Sequence, residues 1–361
     1  MIIKQFEYKP LAHYSYAIIS NGEMALIDPE RDPKAYYEFA KAHKAKISAV
    51  IETHPHADFV SSHLQIHKET GATIYNSEKL GAEYPHKAFD EGISIHLGDI
   101  TLNAINTPGH SPDSISIVAT DGTKTALFTG DTLFIGDVGR PDLREEAGNM
   151  KAKREALPDA TIVYPAHGAG SLCGKNLSDA ASSTLGEERQ SNWAFKKQSK
   201  DQFMATLLDG QPFIPSYFGF NVDINKKGAE SLAAEENAAY IVHRVSKIGY
   251  EKQVKEVITL NKEQLIKSTA LDLPDFKKNP EKYTIVDIRN ESEVAEGKFF
   301  KNALVHPLND LRNTAKNIPT DKPIVVHCAG GYRSAAGSSI LERQLKNTPI
   351  FDLSEAINNF K

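Results

Sequence analysis

Four short runs in the first half of the chain concentrate histidine and aspartate. They are Thr53-His54-Pro55-His56-Ala57-Asp58-Phe59, Thr107-Pro108-Gly109-His110-Ser111, Thr129-Gly130-Asp131-Thr132 and Pro165-Ala166-His167-Gly168. Imidazole nitrogen and carboxylate oxygen together suit zinc or iron(II). Each run follows a stretch that reads as a strand, so all four fall on loops at strand ends, where sites in layered folds are commonly assembled. A glycine beside a ligand lets the backbone turn tightly. The isolated His43, His67 and His86 lack this setting and read as surface or core residues.

A second chemistry lies near the other end. The strand-like run Ile324-Val325-Val326-His327 leads into Cys328-Ala329-Gly330-Gly331-Tyr332-Arg333-Ser334, followed by a helix rich in alanine and serine. A loop between a strand end and a helix start turns its backbone N–H groups inward and meets the positive end of the helix dipole. Both favour a thiolate over a thiol. Arg333 adds charge. The loop therefore suits a nucleophilic sulfur and an anion. Four residues separate Cys328 from Arg333, whereas a phosphatase loop needs five to wrap a phosphate.

The elements that must carry these loops follow from patterning. Ser15 to Ser20 and Met24 to Asp28 read as strands joined by an Asn21-Gly22 hairpin turn. Helices are expected over 33–43 and 57–70. Strands are expected over 47–51, 72–75, 93–97, 100–105, 115–118, 126–129 and 161–164. Many short strands with interspersed helices imply two sheets covered by helices. From about 178 to 228 the pattern is irregular and rich in aromatics and prolines, within an extension of the first domain that runs from about 178 to 250. The α/β rhythm then restarts, with strands at 283–288, 303–305 and 324–327 and a helix at 334–345. The expected organisation is a first domain at 1–250, a linker at 251–262 and a second domain at 263–361.

At 361 residues the chain is too long for one ordinary core. A net charge of −5 gives no electrostatic reason to expect nucleic acid or an anionic membrane as partner. The two cysteines, Cys173 and Cys328, cannot build a disulfide framework, which fits a reducing, cytoplasmic setting. Neither a signal peptide nor a membrane span is read from the sequence. The aromatic stretch Trp193–Phe220 offers apolar surface that a further copy of the chain could bury.

The histidine–aspartate runs resemble the metallo-β-lactamase superfamily pattern His-x-His-x-Asp-His, then His, Asp and His, over roughly the first 180 residues. One position departs. Phe59 stands where dinuclear members carry a histidine that helps hold the second metal. Within the superfamily the chain is most similar to persulfide dioxygenases, and Gly136–Asp142 and Gly168–Lys175 also look like segments of that family. The Cys328 loop and Asp287-Ile288-Arg289 resemble rhodaneses over about residues 255–361. The fold implied is α/β: an N-terminal αββα metallo-β-lactamase-type sandwich, then a rhodanese-type domain with a parallel sheet.

The resemblance implies one Fe(II) per chain held by His54, His110 and Asp131. His56, Asp58 and His167 would orient ligands or water. Arg140 is the candidate for the carboxylates of a thiol carrier, since guanidinium binds carboxylate bidentately. In the second domain Cys328 would be the nucleophile with Arg333. Gly330, Gly331, Tyr332 and Ser334 would form the substrate loop. The implied reaction oxidises a low-molecular-weight thiol persulfide with O₂ to sulfite, coupled to sulfane-sulfur transfer among persulfide, sulfite and thiosulfate. A redox-active metal fits O₂ chemistry better than zinc, which serves hydrolysis. Two other readings stay open: a thioester hydrolase of the glyoxalase II type fused to a rhodanese, and a non-oxidative sulfur-relay module. Cys173 reads either as a channel-bordering thiol or as a small buried apolar residue.

Overall fold

Alternation of apolar residues along the strands decides where the layers lie. In the computed structural model, which describes residues 1–141, 157–171, 173–175, 177–178, 180–209, 214–215, 217–231, 271–330 and 332–360, two compact units form, Met1–Val257 and Ile258–Lys361. The expected linker at 251–262 lies outside the described residues.

The first unit holds two six-stranded sheets. One comprises β1 (Ile2–Tyr8), β2 (His13–Ser20), β3 (Glu23–Ile27), β4 (Lys46–Ile51), β5 (Thr73–Asn76) and β6 (Lys87–Ala88), in that order. Its first three strands are antiparallel and the rest run parallel. The other comprises β7 (Ser94–Leu97), β8 (Ile100–Asn106), β9 (Ile115–Thr120), β10 (Thr125–Gly130), β11 (Ile162–Pro165) and β12 (Ser183–Thr184), in the order β12-β11-β10-β9-β8-β7. Tyr16, Ile18, Ile27 and Ile51 from the first sheet pack on Leu102, Ile117, Ala119 and Phe128 from the second. Their neighbours in sequence point outward. Leu26, Met24 and Val50 meet Tyr36 and Ala40 of α1 (Lys34–Ala42) and Ile66 of α2 (His63–Thr70). Outside the second sheet, Val163 packs with Leu185 of α3 (Leu185–Ser191) and Leu207 of α4 (Lys200–Leu208). The order of layers is αββα.

The β2–β3 turn is the one expected. Asn21 and Gly22 both adopt positive φ, 48° and 77°, as a two-residue turn matched to strand twist requires. The helix expected over 57–70 is shorter, beginning only at His63. Residues 57–62 stay irregular because their backbone groups bond elsewhere. Asn225, on α5 (Phe218–Lys227), donates to the carbonyls of His56 (2.7 Å) and Phe59 (2.8 Å) and accepts from the Ser61 N–H (2.9 Å).

The second unit carries a parallel four-stranded sheet, β14-β13-β15-β16, from β13 (Thr284–Asp287), β14 (Leu304–Val305), β15 (Ile324–His327) and β16 (Ile350–Asp352). Val286, Ile324 and Val326 bury one face with Leu311 of α8 (Leu311–Thr314) and Leu341 of α9 (Tyr332–Gln344). Ile285 and Val325 bury the other with Phe276 of α6 (Leu273–Lys278). A short α7 spans Glu291–Glu296. No helix among the described residues is long and apolar enough to cross a membrane.

Candidate metal centre and thiol loop

His54, His110 and Asp131 converge, with one ligand atom from each within 4.8 Å of the others. His54 follows β4, His110 follows β8 and Asp131 follows β10, so strand ends from both sheets deliver them. Two glycines make the approach feasible. A Cβ on Gly130, whose φ is +52°, would stand 2.6 Å from Thr53 Oγ1, and one on Gly139 would stand 1.7 Å from the Asp131 carbonyl oxygen.

Hydrogen bonds fix which atoms face inward. His110 Nδ1 donates to the Arg140 carbonyl at 2.9 Å, because a carbonyl only accepts. Thr53 Oγ1 donates to Asp28 Oδ2 at 2.7 Å and therefore accepts from His54 Nδ1 at 2.9 Å. Both imidazoles thus present an Nε2 lone pair. These nitrogens lie 3.7 Å (His54) and 3.5 Å (His110) from Asp131 Oδ2. Donor atoms ~2.1 Å from a common ion stand ~3 to 3.5 Å apart. Burial, with His56 nearby, holds His54 well below its ordinary value, which keeps it neutral. Asp131 Oδ2 is buried and has no hydrogen-bond partner among the described residues. A buried carboxylate oxygen left so is costly unless a cation meets it. The donor set fits a metal ion.

The other Asp131 oxygen is engaged. Oδ1 meets His167 Nδ1 at 2.6 Å, and His167 Nε2 meets Asp58 Oδ2 at 2.8 Å. Burial opposes charge on His167, but the two carboxylates outweigh it and raise it well above its ordinary value. Asp58 and Asp131 are lowered in return, against their own burial. His167 is an imidazolium strut between two carboxylates.

His56 points elsewhere. Its Nε2 lies 3.1 Å from Asp28 Oδ1 and 3.6 Å from Glu52 Oε2. Phe59 is 1% exposed, with its ring 4.0 Å from that of His13 and 4.3 Å from that of His56. Cys173 groups with Asp58 and His167. Burial, with the Asp131 and Asp58 charges, keeps its thiol well above its ordinary value. Arg140 is half-buried, and its backbone N–H donates to the Cys173 carbonyl at 2.8 Å.

Cys328 is 1% exposed at the end of β15, just before α9. Ser334, in the first turn of α9, is fully buried, while Gly330 is exposed and a side chain there would meet open space. Openness rather than a steric demand is thus what this glycine provides. Gly331 and the Tyr332 side chain lie outside the described residues. Arg333 Nη1 and Nη2 donate to Glu293 Oε2 (2.6 Å) and Oε1 (2.7 Å). Arg289 is clamped by Asp287, with Nη2 to Oδ2 at 2.7 Å, and its guanidinium lies 3.9 Å from the centre of the Phe299 ring.

Reading from sequence singled out the metal-facing residues and, among their supports, His167 and Asp58. Asp28, Glu52, His13 and Asn225 went unmarked, and Thr53 stood at the head of the first run without a role. Asp28 carried a usable signal, an aspartate directly after a buried strand. Asn225 carried none, because its partners lie more than 160 residues away.

Comparison with known proteins agrees with this architecture. The metallo-beta-lactamase superfamily profile matches residues 8–167 and the rhodanese-like domain profile matches 272–361. A metallo-beta-lactamase of Staphylococcus aureus subsp. aureus COL is 27% identical with a TM-score of 0.61, covering 97% of this chain and 99% of its own. ETHE1 from Myxococcus xanthus is 24% identical with a TM-score of 0.55, covering 63% of this chain and 98% of its own, and shares the fold. A probable hydroxyacylglutathione hydrolase of Schizosaccharomyces pombe is 28% identical over 50% of this chain and 81% of its own length. Three further hydroxyacylglutathione hydrolases are matched over only 58 to 65% of their lengths. With both site geometries and both profiles in place, the chain carries a metallo-β-lactamase domain followed by a C-terminal rhodanese-like domain.

Proposed function

We propose that the first unit oxidises the outer sulfur of a low-molecular-weight thiol persulfide with O₂, and that the second moves sulfane sulfur through Cys328. The overall balance of the first reaction is R–SSH + O₂ + H₂O → R–SH + SO₃²⁻ + 2 H⁺. The observation that carries this reading is the set of two imidazoles and one carboxylate around the unpartnered Asp131 Oδ2. Three protein donors leave open positions, the arrangement suited to non-haem iron(II) oxygenases. Bound there, iron(II) would supply the redox partner that O₂ needs to react with closed-shell sulfur.

The chain's own residues do the rest. Asp28 and Thr53 fix the tautomer of His54, and the Arg140 carbonyl fixes that of His110. His167 draws Asp131 Oδ1 aside and leaves Oδ2 for the ion. The His110 side chain, at 12% exposure against 3% for His54, marks the side from which substrate approaches. Arg140, next to it in space through its carbonyl, is the residue proposed to meet the carrier's carboxylates.

A second reading takes its support from the hydroxyacylglutathione hydrolases among the relatives. It would make the first unit a thioester hydrolase, and a two-metal site would serve it best. Phe59 supplies no ligand, and both His167 nitrogens are engaged by carboxylates. Both features favour one ion.

The deciding experiment is O₂ uptake against a panel of thiol persulfides, on protein whose metal content is measured. Persulfide-dependent uptake with about one iron per chain is expected. Active hydrolase holding two zinc ions and consuming no O₂ would overturn the oxidative reading. A pure sulfur-relay module would likewise consume none.

A further inference from the structure

The cradle around Cys328 holds an ion pair that sulfur transfer alone does not call for. Arg333 is the cation positioned to receive a substrate's charge, and it also faces the Cys328 sulfur. Yet both terminal nitrogens already serve Glu293, at 2.6 and 2.7 Å. This is the bidentate form of the charge-assisted hydrogen bond. Glu293 is itself held in place, since its Oε2 also accepts the Asn290 N–H at 2.9 Å. Burial would push Glu293 up, but the hydrogen bonds from Arg333 and the Asn290 N–H outweigh it and keep the carboxylate charged. Arg289, the neighbouring guanidinium, is committed to Asp287 (2.7 Å) and to the Gly297 carbonyl (3.0 Å).

A donor approaching Cys328 therefore meets a neutralised pair rather than a bare guanidinium. Thiosulfate brings two negative charges and would have to compete with Glu293 for Arg333. A thiol persulfide brings at most one charge at its reacting end and needs no displacement. We propose that Glu293 is a specificity-determining residue which, by neutralising Arg333, makes Cys328 take sulfane sulfur from weakly charged thiol persulfides in preference to thiosulfate. This rests on the sulfur-transfer reading above and adds the class of donor. The step is Cys–S⁻ + R–S–SH → Cys–S–SH + R–S⁻. The Cys328 thiolate forms a bond to the outer sulfur, the bond between the donor's two sulfurs breaks, and its electron pair leaves with the carrier thiolate. No external oxidant or reductant enters.

The test uses the full chain and reads sulfur gain at Cys328 by intact mass in a single turnover. The two donors are 2-hydroxyethyl persulfide, whose carrier is uncharged, and thiosulfate. Glu293→Gln keeps the side-chain shape and removes the charge. It is expected to raise the thiosulfate-to-persulfide ratio of loading rates about tenfold, as loss of a nearby like charge should. Glu293→Asp keeps the charge and should hold the ratio near that of the unaltered chain. A measurement on the unaltered chain stands whether or not these variants fold. Its thiosulfate loading should stay flat or rise with added salt, because Glu293 and Asp287 already neutralise the two guanidiniums that would otherwise attract the dianion. An unmoved ratio in Glu293→Gln, or thiosulfate loading that falls steeply with salt, overturns the proposal. If neither donor loads Cys328, the sulfur-transfer reading itself falls and takes this one with it.

Discussion

The two oxygens of Asp131 do different work, and so do the two nitrogens of each imidazole around it. The tautomer of His54 depends on one hydroxyl, Thr53 Oγ1, which relays the charge of Asp28 at 2.7 Å. Thr53→Val keeps the shape and breaks the relay. It should weaken metal binding about 10- to 100-fold, as loss of a ligand's orienting partner typically does. Competition with a calibrated chelator measures this, and an unchanged affinity would remove the role assigned to Thr53. A second residue-scale consequence concerns pH. Burial pushes Glu52 up to about 8 from an ordinary carboxyl value of 4.5. Between those values the unfolded chain has released a proton that the folded chain keeps, so stability falls as pH rises through the window. Glu52→Gln removes that titration. Melting temperatures recorded from pH 5 to 8 should decline in the unaltered chain and decline less in the variant. Parallel curves would show that Glu52 does not set the slope.

At the scale of elements, α5 shows why a helix far along the chain belongs to the metal centre. Asn225 satisfies two carbonyls and one N–H of the 56–61 segment. Asn225→Ala would leave those buried groups without partners, at a cost of ~2 to 4 kcal/mol. Urea midpoints should fall accordingly and metal content should drop with them; a variant of ordinary stability and metal content would contradict the clamp. The same residue explains what was legible in the sequence. The β2–β3 hairpin, the strands that end in the histidine runs and the strands β13 and β15 were readable because apolar patterning and turn chemistry are local, whereas the parallel pairing of the second sheet came only with the resemblance to rhodaneses. The helix expected over 57–70 was not, because Asn225 overrides local propensity from a distance. β1, with its lysine, glutamine and glutamate, gave no clear apolar alternation, although it pairs with β2 along its whole length. The ligand trio was legible as types and order. The directions in which Nε2 and Oδ2 point were not, since they depend on hydrogen bonds across loops.

At the scale of the whole molecule, each unit has its own apolar core, and each core supports one chemistry. The chemistries should therefore separate on substitution. Cys328→Ser should abolish sulfur transfer and leave persulfide-dependent O₂ uptake within about twofold, because substitutions that share no partners behave additively. His110→Ala should do the reverse, by taking one of three donors from the ion. Loss of both activities in either variant would mean that the two reactions are not independent.

The strut formed by His167 has a consequence for how this protein comes into being. A protonated ring already supplies the countercharge that lets two aspartates sit side by side in a dry interior. The nascent chain should thus need an ion to meet Asp131 Oδ2 but not to pull the two carboxylates together. Metal starvation would then leave most of the pocket's charge balanced, and activity should return with the ion.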